Sequence, residues 1–303
     1  MQLEGIWIPL VSPFLDSQLD LASLDRLIDT VIAKGVAGLV VGATTGEALV
    51  LSDAELVALV KRAKATARGR VPVFVGAGGS DTRSVIAAIQ RVAEAGADGV
   101  LSVCPYFSRP DQRGILAHFR ALAASTALPI VLYNNPSRTA ARMHNDTIRR
   151  LAEIENIVGL KDCAGDFVQS MELLLEPPPQ FAILTGEDAL FFPMLALGAQ
   201  GAFLASAHWS TEAFVDLWRT MQTPDRARAL RLWAQLLPGI RLLFEEPSPA
   251  PLKHLLAITG TIASHELRLP LVPPSQPLQE RLAELATMED RRLASGSRTA
   301  TTG

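Results

Sequence analysis

The chain has 303 residues, 49% of them hydrophobic and 19% charged, with a formal net charge of −3. That length and composition suit one large α/β domain or two small ones with a substantial core, and exclude a disordered chain. The charge leaves no electrostatic footprint for nucleic acid or an anionic membrane surface. Cys104 and Cys163, the two cysteines, fall in apolar runs and read as reduced thiols rather than a disulfide. The opening Met1-Gln-Leu-Glu-Gly-Ile lacks the basic start and apolar run of a signal peptide. No apolar stretch reaches the roughly 18 residues of a membrane span, so a cytoplasmic protein is expected.

The first element is a short apolar run, Ile6–Val11, followed by a helix-period segment at Leu21–Ala33 that ends at Gly35. The next run, Gly38–Ala43, leads through Thr44-Thr45-Gly46 to Ser52-Asp53, a start signal with Glu55 behind it, and the helix Asp53–Ala67. The alternation then repeats as Val71–Ala77 with Thr82–Ala95, Gly99–Pro105 with Arg113–Ser125, and Pro129–Asn135 with Asn145–Ile154. It continues as Ile157–Cys163 with Phe167–Leu175, Phe181–Glu187 with Ala189–Leu197, and Gly201–Ala207 with Thr211–Met221. Strict strand–helix alternation implies a parallel sheet, and eight strands apolar on both faces imply a closed (β/α)8 TIM barrel. An open doubly wound sheet would want a glycine-rich phosphate loop after its first strand; Ser12-Pro13-Phe14-Leu15-Asp16 has no glycine. Beyond Met221 only helical segments follow, at Pro224–Glu246, Ser248–Thr259 and Pro277–Thr287. The expected organisation is a barrel over residues 1–222, C-terminal helices packed on it over 223–289, and a disordered tail over 290–303.

In such a barrel the C-terminal ends of the strands build the active site. Those ends carry Thr44-Thr45-Gly46-Glu47, Tyr106-Phe107, Tyr133-Asn-Asn-Pro-Ser-Arg138, Lys161 and Thr185-Gly186-Glu187. The two tyrosines of the chain are both among them. Of five lysines, Lys34, Lys61 and Lys64 lie on amphipathic helices where their tips reach water, but Lys161 lies within an apolar strand. Alternation puts Lys161 on one face with Gly159 and Cys163, and Val158, Leu160 and Asp162 on the other. A buried ammonium either loses its proton or finds a partner. With a lowered pKa Lys161 is an amine nucleophile toward a carbonyl carbon; otherwise it is a structural partner of Asp162 or another carboxylate. A tyrosine supplies a proton donor and acceptor, the threonines suit a carboxylate, and Arg138 offers a planar fork for a second one. That constellation suggests a Schiff-base lyase or aldolase acting on a small keto acid. The five histidines lack ligand spacing, and no metal is assigned.

Gly42-Ala-Thr-Thr-Gly-Glu47, Cys104-Pro-Tyr-Phe-Ser-Arg-Pro110, Tyr133-Asn-Asn-Pro-Ser-Arg-Thr139 and Gly159-Leu-Lys-Asp162 occur in that order. With Glu246-Pro-Ser-Pro-Ala-Pro-Leu-Lys253 and Leu267-Arg-Leu-Pro-Leu-Val-Pro273, they resemble the dihydrodipicolinate synthase/N-acetylneuraminate lyase family of class I pyruvate-dependent lyases, over residues 3–288. The resemblance implies a barrel with C-terminal helices that assembles as a homotetramer, a dimer of dimers. It implies an imine between Lys161 and substrate pyruvate, with no separate cofactor. Tyr133 would be the general acid and base; Thr44 and Thr45 would hold the pyruvate carboxylate, with Thr44 relaying protons. Gly186 and Phe203 would line the pyruvate pocket. Arg138 points to the synthase branch, in which pyruvate condenses with aspartate semialdehyde for lysine biosynthesis. Tyr106-Phe107 stands where that branch has consecutive tyrosines, the second reaching into a neighbouring subunit's site. Phe107 therefore favours the alternative of a family member acting on 2-keto-3-deoxy sugar acids; a non-catalytic keto-acid-binding barrel is the second alternative. In lysine-inhibited members polar groups line an interface site whose counterparts here are Ala48, Leu56, Ser80 and Ser84, so little inhibition by lysine is expected.

Overall fold

A computed structural model describes residues 3–299. Eight parallel strands close into a barrel: β1 (Gly5–Pro9), β2 (Gly38–Val41), β3 (Val73–Gly76), β4 (Gly99–Val103), β5 (Ile130–Asn134), β6 (Ile157–Asp162), β7 (Ala182–Thr185) and β8 (Gly201–Phe203). Each pairs with its sequence neighbours, and β1 pairs with both β2 and β8. The strands are shorter than the apolar runs suggested. Gly42, at φ +61°, turns the chain off the barrel after β2, and after β8 a 3-10 turn at Ser206–His208 takes over. A two-stranded ribbon, Phe14–Leu15 with Gln18–Leu19, was not foreseen; it is too short to show periodicity.

Helices α1 (Leu21–Ala33), α2 (Asp53–Ala67), α3 (Thr82–Glu94) and α4 (Gln112–Ala124) follow β1 to β4. After β5 come a one-turn helix α5 (Pro136–Thr139) and α6 (Asn145–Ala152); α7 (Phe167–Leu175), α8 (Phe191–Ala196) and α9 (Thr211–Met221) follow β6 to β8. Helix α2 starts as the sequence indicated. Ser52 and Glu55 form a reciprocal capping box on α2, and Asp20, Asp81 and Asp111 cap α1, α3 and α4. Three more helices close the chain: α10 (Arg226–Leu243), α11 (Ala250–Ile258) and α12 (Gln276–Thr299). Helix α12 therefore continues through part of the stretch expected to be disordered, where Arg291, Arg292, Leu293 and Ala294 all favour helix; residues 300–303 of that stretch lie outside the described residues.

Two apolar layers hold the fold together. One lies between strands and helices; the other fills the barrel with Leu3, Trp7, Val40, Phe74, Leu101, Val131, Leu184 and Phe203. Large rings sit against absent side chains. A Cβ on Gly38 would come within 2.4 Å of the Trp7 ring, and one on Gly99 within 2.4 Å of Phe74. Trp7 meets Phe74 edge-on at 5.0 Å and Phe203 at 5.5 Å. This plug closes the barrel below its C-terminal mouth, so a polar side chain at the strand ends faces a dry floor.

Candidate functional site

Above the plug lies a cavity of about 420 Å³, lined by the ends of β5, β6 and β7 and by the turns after β2 and β8. Strand register builds its centre. Tyr133 pairs directly with Lys161 across β5 and β6, so the two side chains emerge side by side on the inner face. That pairing follows a register shift between Ile130 and Val131, which no single-strand pattern announces. The Lys161 ammonium lies 4.4 Å from the centre of the Tyr133 ring and 5.9 Å from that of Phe203. Asp162 lies on the other face of the strand and is occupied by the Ala164 N–H and the Ser170 hydroxyl at 2.9 and 2.5 Å, so the alternative pairing of Lys161 with Asp162 does not form.

Lys161 is buried against the glycine that follows β7. A Cβ on Gly186 would lie 2.4 Å from Lys161 Cε and 2.4 Å from Cys163 Sγ. The Tyr133 hydroxyl accepts a hydrogen bond from Asn135 Nδ2 at 2.8 Å, and Asn135 Oδ1 in turn accepts from Ser137 Oγ at 2.7 Å, which fixes the amide's orientation. The Thr44 side chain is near enough to the phenol to oppose the rise in its pKa. Thr44, Thr45 and Gly46 form a 3-10 turn directly after β2, with the Gly46 carbonyl accepting from Ser12 Oγ at 2.7 Å. Arg138 projects from α5, whose first turn is tied back to the Asn135 carbonyl by the N–H groups of Arg138 and Thr139.

The electrostatics correct one expectation. Burial pulls the Lys161 ammonium down, but Tyr133, Cys163, Asp188 and Glu187 act the other way and hold its pKa above the ordinary lysine value. The lowered pKa inferred from burial alone left out Tyr133 and Cys163 first, and Asp188 and Glu187 after them. Burial pushes the Tyr133 phenol up, and the Lys161 ammonium only partly offsets this. Glu187 is raised by burial and by Asp188, with Lys161 opposing. Asp188 is raised by burial, against hydrogen bonds from Ser206, whose N–H donates at 2.7 Å. Burial also holds the Cys163 thiol well above its usual range, so it is not a nucleophile at neutral pH. The site thus balances one ammonium against two reluctant carboxylates, with a phenol between the amine and Thr44.

Lys161, Tyr133, Thr44, Thr45, Arg138, Gly186 and Phe203 all line the cavity. Tyr106 and Phe107 do not. The Tyr106 carbonyl accepts from Ser80, and Phe107, at φ +67°, is 94% exposed on the loop after β4. Lining residues that sequence reasoning did not single out are Asn135, Asp188, Ile240, Arg241, Phe244 and Ser248. Asn135 and Asp188 sit at strand ends and were discoverable there. The last four come from α10 and the segment after it, which crosses the mouth of the barrel. Gly239 permits that approach, since any Cβ there would strike the Trp209 ring at 2.3 Å. Among the described residues no group of His, Cys, Asp or Glu could hold a metal ion, and no helix is long and apolar enough to cross a membrane.

Residues 2–289 match the Dihydrodipicolinate synthetase family. The chain is 49% identical over 282 residues to 4-hydroxy-tetrahydrodipicolinate synthase 2 of Clostridium acetobutylicum, covering 93% of this chain and 99% of that one. It is 35% identical over 292 residues to 4-hydroxy-tetrahydrodipicolinate synthase of Bacillus subtilis, covering 96% and 100%. The solved structure of 4-hydroxy-tetrahydrodipicolinate synthase from Methylacidiphilum fumariolicum SolV superimposes with a TM-score of 0.93 at 36% identity, covering 98% of this chain and 99% of that one.

Proposed function

The chain belongs to the dihydrodipicolinate synthetase family, and from that premise we propose that it is a 4-hydroxy-tetrahydrodipicolinate synthase, condensing pyruvate with aspartate semialdehyde through an imine on Lys161. The observation that carries this reading is the buried Lys161 ammonium, 4.4 Å from the Tyr133 ring in a cavity that also holds two threonines and an arginine.

Lys161 gives up a proton and its amine attacks C2 of pyruvate. Tyr133 supplies the proton with which the carbinolamine oxygen leaves as water. Thr44, beside the phenol, passes protons to and from it, and the Thr45 and Thr44 groups hold the pyruvate carboxylate. Loss of a C3 proton gives the enamine, whose carbon adds to the aldehyde. The semialdehyde's own amine then attacks the imine carbon, closes the ring and expels Lys161. Arg138, whose guanidinium has no hydrogen-bonded or ionic partner among the described residues, receives the semialdehyde carboxylate.

On this reading the enzyme needs no cofactor beyond the covalent imine with its substrate, and it works in the cytoplasm. Residues 1–222 make the barrel and 223–289 a helical layer on it. Leu49 and Phe107, 82% and 94% exposed, are apolar side chains that a homotetramer would cover. Borohydride reduction in the presence of pyruvate tests the chemistry: a stable adduct on Lys161 is expected, and its absence removes the lyase reading. A product assay with aspartate semialdehyde against sugar-derived aldehydes tests the substrate. The missing Phe107 hydroxyl favours the sugar-acid alternative, and faster turnover of a sugar-derived aldehyde would select it.

A further inference from the structure

We propose that Lys253, on α11 in the C-terminal helical layer, is a positioning residue for the Thr44–Gly46 turn, acting through a buried ion pair with Glu47. The inference rests on the reading above, in which that turn receives the keto-acid carboxylate.

Lys253 Nζ lies 2.7 Å from Glu47 Oε1, and both side chains are wholly excluded from solvent. The ammonium also donates to the Ser12 carbonyl at 3.0 Å and sits 4.3 Å from the centre of the Phe14 ring. The second Glu47 oxygen accepts from the Arg268 N–H at 3.1 Å. The Arg268 guanidinium holds Glu55 of α2 at 2.5 and 3.0 Å and the Ser17 carbonyl at 2.9 Å. The loop after β1, the turn after β2, α11 and the segment before α12 therefore converge on one ion pair.

A buried pair of this kind is a poor source of stability, because desolvating both charges offsets their attraction. Its location is informative instead. Glu47 follows Gly46 immediately and is held in the left-handed conformation at φ +55°, an unfavourable one for a side chain with a Cβ. Its N–H donates to the Thr44 carbonyl at 3.1 Å, while Ser12, whose carbonyl Lys253 grips, fastens the Gly46 carbonyl from the other side. Thr44 in turn lines the cavity beside Tyr133. Lys253 thus holds both ends of the turn. It also neutralises the one carboxylate adjoining that turn, which is otherwise buried without a counter-charge.

The test compares the wild type with Lys253→Met and with the charge-free pair Glu47→Gln/Lys253→Met, checking each fold by circular dichroism and melting. Pyruvate-dependent borohydride trapping on Lys161 is titrated, and KM is measured for pyruvate and for the aldehyde. In Lys253→Met the pyruvate needed for half-maximal trapping is expected to rise about tenfold or more, with the aldehyde KM at saturating pyruvate within about twofold of wild type. The double variant should recover most of that loss, since no unpaired charge remains, while its kcat stays reduced. A folded Lys253→Met with unchanged pyruvate dependence overturns the proposal. If Lys253→Met does not fold, the double variant decides: a wild-type kcat and trapping rate would make the pair structural only. A wild type that traps no pyruvate removes the Lys161 reading, and the proposal with it.

Discussion

Gly186→Ala is a one-methyl test of how the nucleophile is housed. The added Cβ would lie 2.4 Å from Lys161 Cε, 2.8 Å from Lys161 Cγ and 2.4 Å from Cys163 Sγ. Favourable carbon contacts lie at about 3.5–4.0 Å, so these atoms must move apart by roughly 1 Å. Bending only the tip of the lysine does not help, because Cγ is struck as well as Cε. The Gly186 backbone is not in the left-handed region, so the perturbation is steric rather than conformational. Overpacking at such a point costs about 1–3 kcal/mol of stability. A shift of about 1 Å in the amine, away from the Tyr133 phenol, costs on the order of 10²-fold in rate. Pyruvate trapping kinetics followed by mass spectrometry, beside a urea titration, separate the two effects. A variant with kcat/KM within about threefold of wild type would refute the reasoning, since it would mean that Lys161 does not react from its present position.

Four other outcomes are expected. Lys161→Ala should abolish both the borohydride adduct and turnover while circular dichroism remains native, as the residue faces the cavity rather than the helix-side core. Arg138→Ala should raise KM for the aldehyde by about 30-fold, the equivalent of roughly 2 kcal/mol for a lost charge-assisted pair, and leave KM for pyruvate nearly unchanged. Glu187→Gln removes one of the carboxylates that hold the Lys161 pKa up, so the rise of trapping rate with pH should move to lower pH; a shift to higher pH would contradict the assigned sign. Millimolar lysine should leave the rate unchanged, because Leu56 packs over Gly42 and Ser84 is engaged with Asp81; a severalfold loss of rate would show that another group binds it.

How much of this was legible in the sequence differs from residue to residue. The barrel followed from strand–helix alternation, and the face shared by Gly159, Lys161 and Cys163 followed from the two-residue repeat of a strand. That Tyr133 lies beside Lys161 required the register of β5 against β6, and the shift at Ile130 and Val131 is a property of the pair rather than of either strand. The raised Lys161 pKa was missed for a related reason: Glu187 and Asp188 are 26 and 27 positions away in sequence but share its cavity. Lys253 carries no local mark of burial; its burial appears only once α11 is laid against the loops after β1 and β2. The contribution of α10 was equally hidden, since a helical repeat does not state which part of the molecule it will cross.

Helix α10 and the residue that ends it supply Ile240, Arg241 and Phe244 to the mouth of the cavity, whereas Lys161 and Tyr133 stand on the strands beneath it. On the proposed reading imine formation belongs to the strand ends, while the roof over them is a separate stretch of chain that can add to the acceptor contacts of Arg138. Changes confined to one face of that roof can retune which aldehyde enters without disturbing the amine below, and chimaeras exchanging this helix between relatives are the natural way to redirect the condensation.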